Sequence, residues 1–142
     1  QFAPTKKFDE ADFGGFLDIV ADFAFYVAVP VGFGLADTQN LMPALVLVAS
    51  FALTGTSFLA FAALAAKRGL ETTAHGRKSF FYNTGLAEGA ETIVAFLAMC
   101  LLPQHFAAIA WLFAALCALT VVQRCAIARK MFTPTASNER ND

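Results

Sequence analysis

Charged side chains are scarce in this sequence. Lysine, arginine, aspartate and glutamate make up 15% of its 142 residues, whereas apolar residues make up 58%. A soluble domain carries roughly a quarter charged residues, so this composition argues against an ordinary soluble fold. The formal net charge is -1, which leaves no basic excess for a polyanion to bind. We therefore expect no nucleic-acid partner.

Cysteine is also scarce. The three cysteines lie inside apolar runs, form no CxxC pair and have no histidine at metal-ligand spacing; they are Cys100, Cys117 and Cys125. This pattern indicates neither a disulfide framework nor a structural zinc site. We interpret the three thiols as reduced, small packing groups.

What the sequence does contain is long apolar runs. A hydrocarbon core of about 30 Å requires roughly 20 apolar residues in a helix, and four stretches are long enough. The sequence therefore predicts an all-α, polytopic membrane helical bundle within residues 1–132, followed by a polar tail at 133–142. The predicted spans are Phe13–Ala36, Leu41–Ala66, Phe80–Leu102 and His105–Ile127.

The basic residues predict how this bundle is oriented. Two precede the first span, four lie between the second and third, four end or follow the fourth, and the other two connections have none. Because Lys and Arg accumulate on the cytoplasmic side, both ends of the chain are expected there. The ten residues are Lys6, Lys7, Lys67, Arg68, Arg77, Lys78, Arg124, Arg129, Lys130 and Arg140.

Four carboxylates interrupt the apolar runs. An ionised carboxylate at the bilayer centre costs about 2.5 to 3.5 kcal/mol, so acids within spans are candidates for a functional site. Asp18 and Asp22 lie on the first span, and Glu88 and Glu91 on the third, all expected at similar depth from the cytoplasmic side. We expect the two aspartates to be buried and one polar cavity to serve all four acids.

Asp18 and Asp22 are four residues apart, so they share a helical face with Cβ atoms about 5 to 6 Å apart. Two like charges this close repel each other, and a divalent cation between them would offset the repulsion. Hard oxygen ligands favour Mg²⁺ or Mn²⁺. Gly14, one turn earlier, would let a backbone or a phosphate approach. An alternative is that water alone solvates the two carboxylates at the interface.

The remaining candidates have two interpretations each. Glu88 and Glu91 either line the cavity or hydrogen-bond to hydroxyl groups of the second span. Arg77 and Lys78 are either topology signals or phosphate ligands at the mouth of the cavity.

The run Gly14-Gly15-Phe16-Leu17-Asp18-Ile19-Val20-Ala21-Asp22 contains glycine and two aspartates at four-residue intervals. It resembles the second half of the signature of the CDP-alcohol phosphatidyltransferases, D-x2-D-G-x2-A-R, about eight residues, then G-x3-D-x3-D. Segments from Gly55 to Lys67, Lys78 to Tyr82 and Glu88 to Thr92 are similar to a bacterial inner-membrane branch of that family. The resemblance covers about Asp12 to Arg124.

The resemblance implies transfer of a phosphatidyl-type group from a CDP-linked alcohol, such as CDP-diacylglycerol, to a small hydroxyl acceptor, releasing CMP in phospholipid biosynthesis. It implies that Asp18 is a metal ligand and that Asp22 is the general base and also approaches two Mg²⁺ or Mn²⁺ ions. Gly14, Arg77, Lys78 and Glu88 are then candidate substrate-binding residues. The family also suggests a homodimer in the bacterial inner membrane.

The sequence departs from the family pattern at its beginning. The eight-residue spacing would place the Ala-Arg pair at positions 4 and 5, which are Pro4 and Thr5. Either the first motif half precedes Gln1, with two further helices to complete the family's six, or that half-site is absent. The activity is therefore expected of the complete protein. The alternatives to an enzyme are a small proton- or cation-conducting membrane protein and a non-catalytic membrane bundle.

Overall fold

The computed structural model describes residues 9–69 and 78–134, with only the backbone described for residues 78–88. Within these ranges the chain is helical. Four α-helices follow one another: α1 at Glu10–Ala36, α2 at Leu41–Lys67, α3 at Lys78–Leu101 and α4 at Phe106–Phe132. Single 3-10 turns at Thr38–Asn40 and Pro103–His105 join α1 to α2 and α3 to α4.

The helix ends follow local sequence signals. Asp9 and Asp12 form a capping box, in which each carboxylate accepts the other residue's backbone N–H at 3.0 and 2.9 Å. This box starts α1 one turn before the apolar run begins. At the end of α2, Gly69 has a φ of +68°, the left-handed conformation with which glycine often ends a helix. Asp37 caps the first turn by accepting the Gln39 N–H at 2.9 Å.

The helices alternate in direction. α1 is antiparallel to α2, since Gly34 lies against Ala44 near one end and Phe23 lies against Gly55 further along. α2 and α4 run in parallel, and their last turns meet where the Arg68 Nη2 donates to the Phe132 carbonyl oxygen at 3.3 Å. We call this end of the bundle the basic end; it is defined by Lys67, Arg68, Arg129 and Lys130. α1 begins at the basic end.

Aromatic rings fill the middle of the bundle. Phe51 of α2 contacts Tyr26 of α1, Phe96 of α3 and Phe113 of α4, with ring centroids 5.6 to 5.9 Å apart. Nearer the 3-10 turns, Phe33 of α1 stacks on the fully buried Phe106 at 4.5 Å. Leu47 and Met99 are also fully buried there. The core therefore joins all four helices.

The outside of the bundle is strongly apolar. Of the described helices, three are long and apolar enough to cross a membrane, namely those within Glu10–Ala36, Thr38–Lys67 and Pro103–Phe132. The described apolar part of α3, Gly89–Leu101, is shorter. Large side chains such as Leu35 and Leu101 are 81% and 78% exposed, which suits contact with lipid. The predicted helical bundle is therefore confirmed, and the number of four spans stays a prediction.

Candidate functional site

Asp18 and Asp22 lie in the first half of α1, on the side of the bundle's basic end. Both side chains are exposed, as is every described residue from Asp9 to Asp22. The expectation that these carboxylates are buried was therefore wrong for the described chain. The physical reason is that the packed part of α1 begins only at Phe23, which is the first of its residues to be partly covered.

The face of α1 that carries the aspartates is nevertheless the face that enters the core. Asp18, Asp22 and Tyr26 follow one another at four-residue intervals, and so lie along one stripe of the helix. Tyr26 stacks on Phe51 and lies edge-on to Phe96, with centroid distances of 5.6 and 6.2 Å. Asp22 is thus one turn, about 6 Å, closer to the basic end than a central core residue.

Glu91 lies at a comparable depth on α3. α3 runs in the same direction as α1, and Phe96 of α3 contacts Tyr26 of α1 in the core. Glu91 precedes Phe96 by five residues, and Asp22 precedes Tyr26 by four. A cavity of about 30 Å³, large enough for a water molecule, lies between the helices. Glu91 lines it together with Tyr26 and three threonines, Thr54, Thr92 and Thr120. Neither Asp18 nor Asp22 lines this cavity, and the Glu88 side chain lies outside the described residues, so one cavity shared by all four acids stays a prediction.

The structure describes the other candidate site residues only in part. Arg77 lies outside the described residues, and so do the side chains of Lys78 and Glu88. A Cβ atom at Gly14 would meet no described atom within 4 Å, so no described backbone uses the close approach expected there. At Gly89, a Cβ atom would lie 3.8 Å from the Tyr26 Oη, an ordinary contact that brings the tyrosine against α3.

Arg124 of α4 is a buried cation that sequence reasoning counted only as a topology signal. Its side chain is 6% exposed, and its Nη1 donates to the Thr54 carbonyl oxygen at 3.0 Å and to the Ser57 Oγ at 2.6 Å. The guanidinium also lies over the Phe58 ring, 5.7 Å from the centroid, within the range of a cation–π interaction. Its position about two turns before the end of an apolar helix was the available signal.

Two hydroxyl groups of α2 form hydrogen bonds within that helix and with α4. Thr54 Oγ1 donates to the Ser50 carbonyl oxygen at 2.7 Å, and Ser57 Oγ donates to the Thr54 carbonyl oxygen at 2.9 Å. The sequence had offered these hydroxyls as partners for the glutamates of α3. Ser57 accepts from Arg124, so this polar turn of α2 serves the contact with α4. The Glu88 side chain lies outside the described residues, and its partner stays a prediction.

Comparison with known proteins supports the membrane assignment. No protein-family model and no solved structure matches this sequence. The chain is 49% identical over 123 residues to the inner membrane protein YnjF of Escherichia coli (strain K12), an alignment that covers 86% of this chain and 60% of that protein. This protein is a helical membrane protein. The chain spans about three fifths of the length of the relative that it matches.

The aspartate pair of this membrane protein has the chemistry for part of a divalent-metal site. Mg²⁺ is commonly held by one or two carboxylates, with waters and substrate phosphates completing its coordination. Asp18 and Asp22 meet that requirement, because they are adjacent on one face and open to ligands. Among the residues that the structure describes, no three His, Cys, Asp or Glu side chains group closely enough to hold an ion by themselves.

Proposed function

We propose that the complete protein transfers a substituted phosphate group from a CDP-linked alcohol, such as CDP-diacylglycerol, to a hydroxyl acceptor in phospholipid biosynthesis at the bacterial inner membrane. The observation that carries the proposal is the pair Asp18 and Asp22, in a G-x3-D-x3-D sequence, on the stripe of α1 that continues into the core. The resemblance to the CDP-alcohol phosphatidyltransferases supplies the reaction, and the membrane setting suits a lipid substrate.

Each aspartate has a separate role in this reaction. Asp18 would hold Mg²⁺ or Mn²⁺, and Asp22 would share that ligation while serving as the general base. Bound divalent cations supply charge neutralisation for the pyrophosphate of the CDP-alcohol. The Asp22 carboxylate accepts the proton of the acceptor hydroxyl, whose oxygen then forms a bond to the β-phosphorus. The bond from that phosphorus to the bridging oxygen breaks, and CMP leaves with the electron pair.

The open position of the aspartates suits this role. A lipid-linked nucleotide must bring a charged pyrophosphate to the carboxylates while its acyl chains stay in the bilayer. Exposed apolar side chains surround the pair on α1, including Phe16, Leu17 and Val20. The basic end of the bundle would attract the phosphates electrostatically. Arg77, Lys78 and Glu88 remain candidate substrate-binding residues, and a homodimer remains part of the proposal.

The direct test is CMP release by the complete protein reconstituted in lipid nanodiscs with a CDP-alcohol. Asp22→Asn removes the base and should lower the rate by about 10²- to 10⁴-fold while the protein still inserts. Asp37→Asn is the matched control, since Asp37 is an exposed aspartate at the other end of α1 and an asparagine oxygen can keep its turn cap. Its rate should stay at the wild-type value.

Metal binding gives a second measurement. Mn²⁺ should raise the melting temperature of the wild-type protein, because it binds the folded state, and Asp18→Ala should abolish that increase. Unchanged CMP release by Asp22→Asn would refute the enzymatic proposal. An Asp22-dependent proton or cation flux into liposomes, without CMP release, would instead establish the conducting alternative. A neutral or stabilising effect of Asp22→Asn on every measurement would support a non-catalytic bundle.

A further inference from the structure

The burial of Arg124 requires an explanation beyond helix packing. An arginine at the centre of a membrane span costs about 2.5 to 3.5 kcal/mol, and Arg124 lies inside the predicted span, three residues before its end, with its side chain buried. A leucine or methionine would join α4 to α2 without this cost. What an apolar side chain would not provide is the pair of hydrogen bonds from Nη1 to the Thr54 carbonyl and the Ser57 Oγ.

Those hydrogen bonds fix one turn of α2. The Thr54 carbonyl oxygen accepts from both Arg124 and Ser57, at 3.0 and 2.9 Å, and the Ser57 Oγ lies 2.6 Å from the same Arg124 nitrogen. The three groups therefore form a closed triangle across the interface between α2 and α4. The residue that follows Thr54 inside this turn is Gly55, which is itself buried.

Gly55 is a position at which α1 packs closely against α2. The Phe23 ring lies so close that a Cβ atom at position 55 would be 2.5 Å from its Cε1 and 2.7 Å from its Cζ. Only glycine leaves room for the ring in this position. Phe23 directly follows Asp22, and it is the first partly covered residue of α1. The contact between Phe23 and Gly55 thus sets the rotation of α1 about its own axis next to Asp22.

We infer that Arg124 is a positioning residue for the carboxylates of Asp18 and Asp22: it holds the Thr54–Ser57 turn, which seats Phe23 on Gly55 and so fixes the rotation of α1. This inference rests on the proposed function. A metal site requires ligands held within about 0.5 Å. A rotation of α1 by about 20° would move a carboxylate, about 5 Å from the helix axis, by about 2 Å.

The test measures Mn²⁺ affinity, by electron paramagnetic resonance, for the complete protein in nanodiscs. Arg124→Gln should weaken Mn²⁺ binding by about 10- to 100-fold, the usual effect of losing a partner that orients metal ligands. Arg124→Lys should restore part of the affinity, because an ammonium can still donate to the Thr54 carbonyl. Gln123→Ala is the matched control, an exposed polar residue next to Arg124 on the same helix, and should leave the affinity unchanged.

A double-mutant cycle distinguishes positioning from direct contact with a ligand. If Arg124 acts through Phe23, Arg124→Gln should cause no further loss of Mn²⁺ affinity in a Phe23→Ala background. Gly55→Ala should weaken Mn²⁺ binding while Arg124 is intact, because the added methyl group displaces the Phe23 ring. Ser57→Ala should cause a smaller loss, and it provides a test if Arg124→Gln does not fold.

The outcomes separate the metal site of the proposed function from the positioning role of Arg124. Wild-type protein that does not bind Mn²⁺, or binds it independently of Asp18, overturns both. Mn²⁺ binding that depends on Asp18 but is unchanged in folded Arg124→Gln overturns only the positioning role. A raised KM for the CDP-alcohol in Arg124→Gln, with Mn²⁺ affinity unchanged, would mean that Arg124 contacts the substrate instead.

Discussion

At the scale of single residues, charges in this protein differ in what surrounds them. Asp18 and Asp22 are exposed, whereas Arg124 is buried and hydrogen-bonded to α2. A carboxylate that must receive a metal ion and a phosphate has to be open to them. A guanidinium that fixes a helix interface has to be enclosed by it. The burial of Arg124 and the exposure of the aspartates are therefore compatible with one site.

Phe106 should contribute strongly to the stability of the bundle. It is fully buried and stacks on Phe33 at 4.5 Å, so Phe106→Ala would leave a cavity in the core. We expect a loss of about 3 kcal/mol in the free energy of unfolding. Leu112→Ala is the control, because Leu112 is 66% exposed on the same helix and should cost far less.

Steric trapping or thermal unfolding in detergent measures both variants. A similar loss of stability for Phe106→Ala and Leu112→Ala would contradict the burial of Phe106 in the core. It would mean that contact with lipid replaces the Phe33 stack at no cost.

At the scale of elements, α1 consists of two dissimilar halves. Its second half packs through Tyr26, Phe33 and Gly34 against α2, α3 and α4. Its first half carries the aspartates together with exposed aromatic and aliphatic side chains. The same helix is thus a core element at one end and an open surface at the other, and the boundary is at Phe23.

The rotation of the first half of α1 should therefore matter for metal binding and little for folding. One alanine inserted between Asp22 and Phe23 turns both aspartates by about 100° relative to Tyr26. We expect it to abolish the Mn²⁺-dependent rise in melting temperature while the metal-free melting temperature changes little, since residues 9–22 are exposed.

The control for this insertion is one alanine between Thr133 and Pro134, beyond the end of α4. It should leave both melting temperatures at their wild-type values. A Mn²⁺-dependent rise that survives the insertion after Asp22 would show that the orientation of this face is unimportant.

At the scale of the whole molecule, the arrangement is a bundle whose helices alternate in direction. The two 3-10 turns lie at one end, and the exposed basic residues of α2 and α4 lie at the other. The E. coli relative is named an inner membrane protein. The positive-inside rule then predicts a cytoplasmic basic end.

Accessible cysteines test this orientation and the number of spans together. In a variant with Cys100, Cys117 and Cys125 replaced by alanine, a cysteine at Gln39 or Gln104 should react with a membrane-impermeant maleimide in intact cells. A cysteine at Lys67 or Lys130 should react only after permeabilisation. Labelling at both Gln39 and Gln104, together with protection at Lys67 and Lys130, requires that α2, α3 and α4 each cross the bilayer, as four spans demand.

The reverse labelling pattern would mean that the basic end is outside the cytoplasm. Labelling at Gln39 but not at Gln104 would contradict four spans. A matched cysteine at Gly69, beside the end of α2, should behave as Lys67 does.

The sequence by itself determined the helices. The predicted boundaries of α1, α2 and α4 differ from the observed ones by a few residues, because apolar run length, Asp and Gly caps and short polar connections act locally. The spacing of Asp18 and Asp22 also placed them on one face without any tertiary information, since helix geometry alone decides it.

Only the tertiary structure decided what each polar side chain contacts. The burial of Arg124, the central place of Tyr26 and the seat of Phe23 on Gly55 depend on which residues of other helices come within a few ångströms. The exposure of both aspartates, contrary to expectation, has the same origin. In a uniformly apolar sequence the inward and lipid-facing sides of a helix have similar composition, so neighbours rather than hydrophobicity distinguish them.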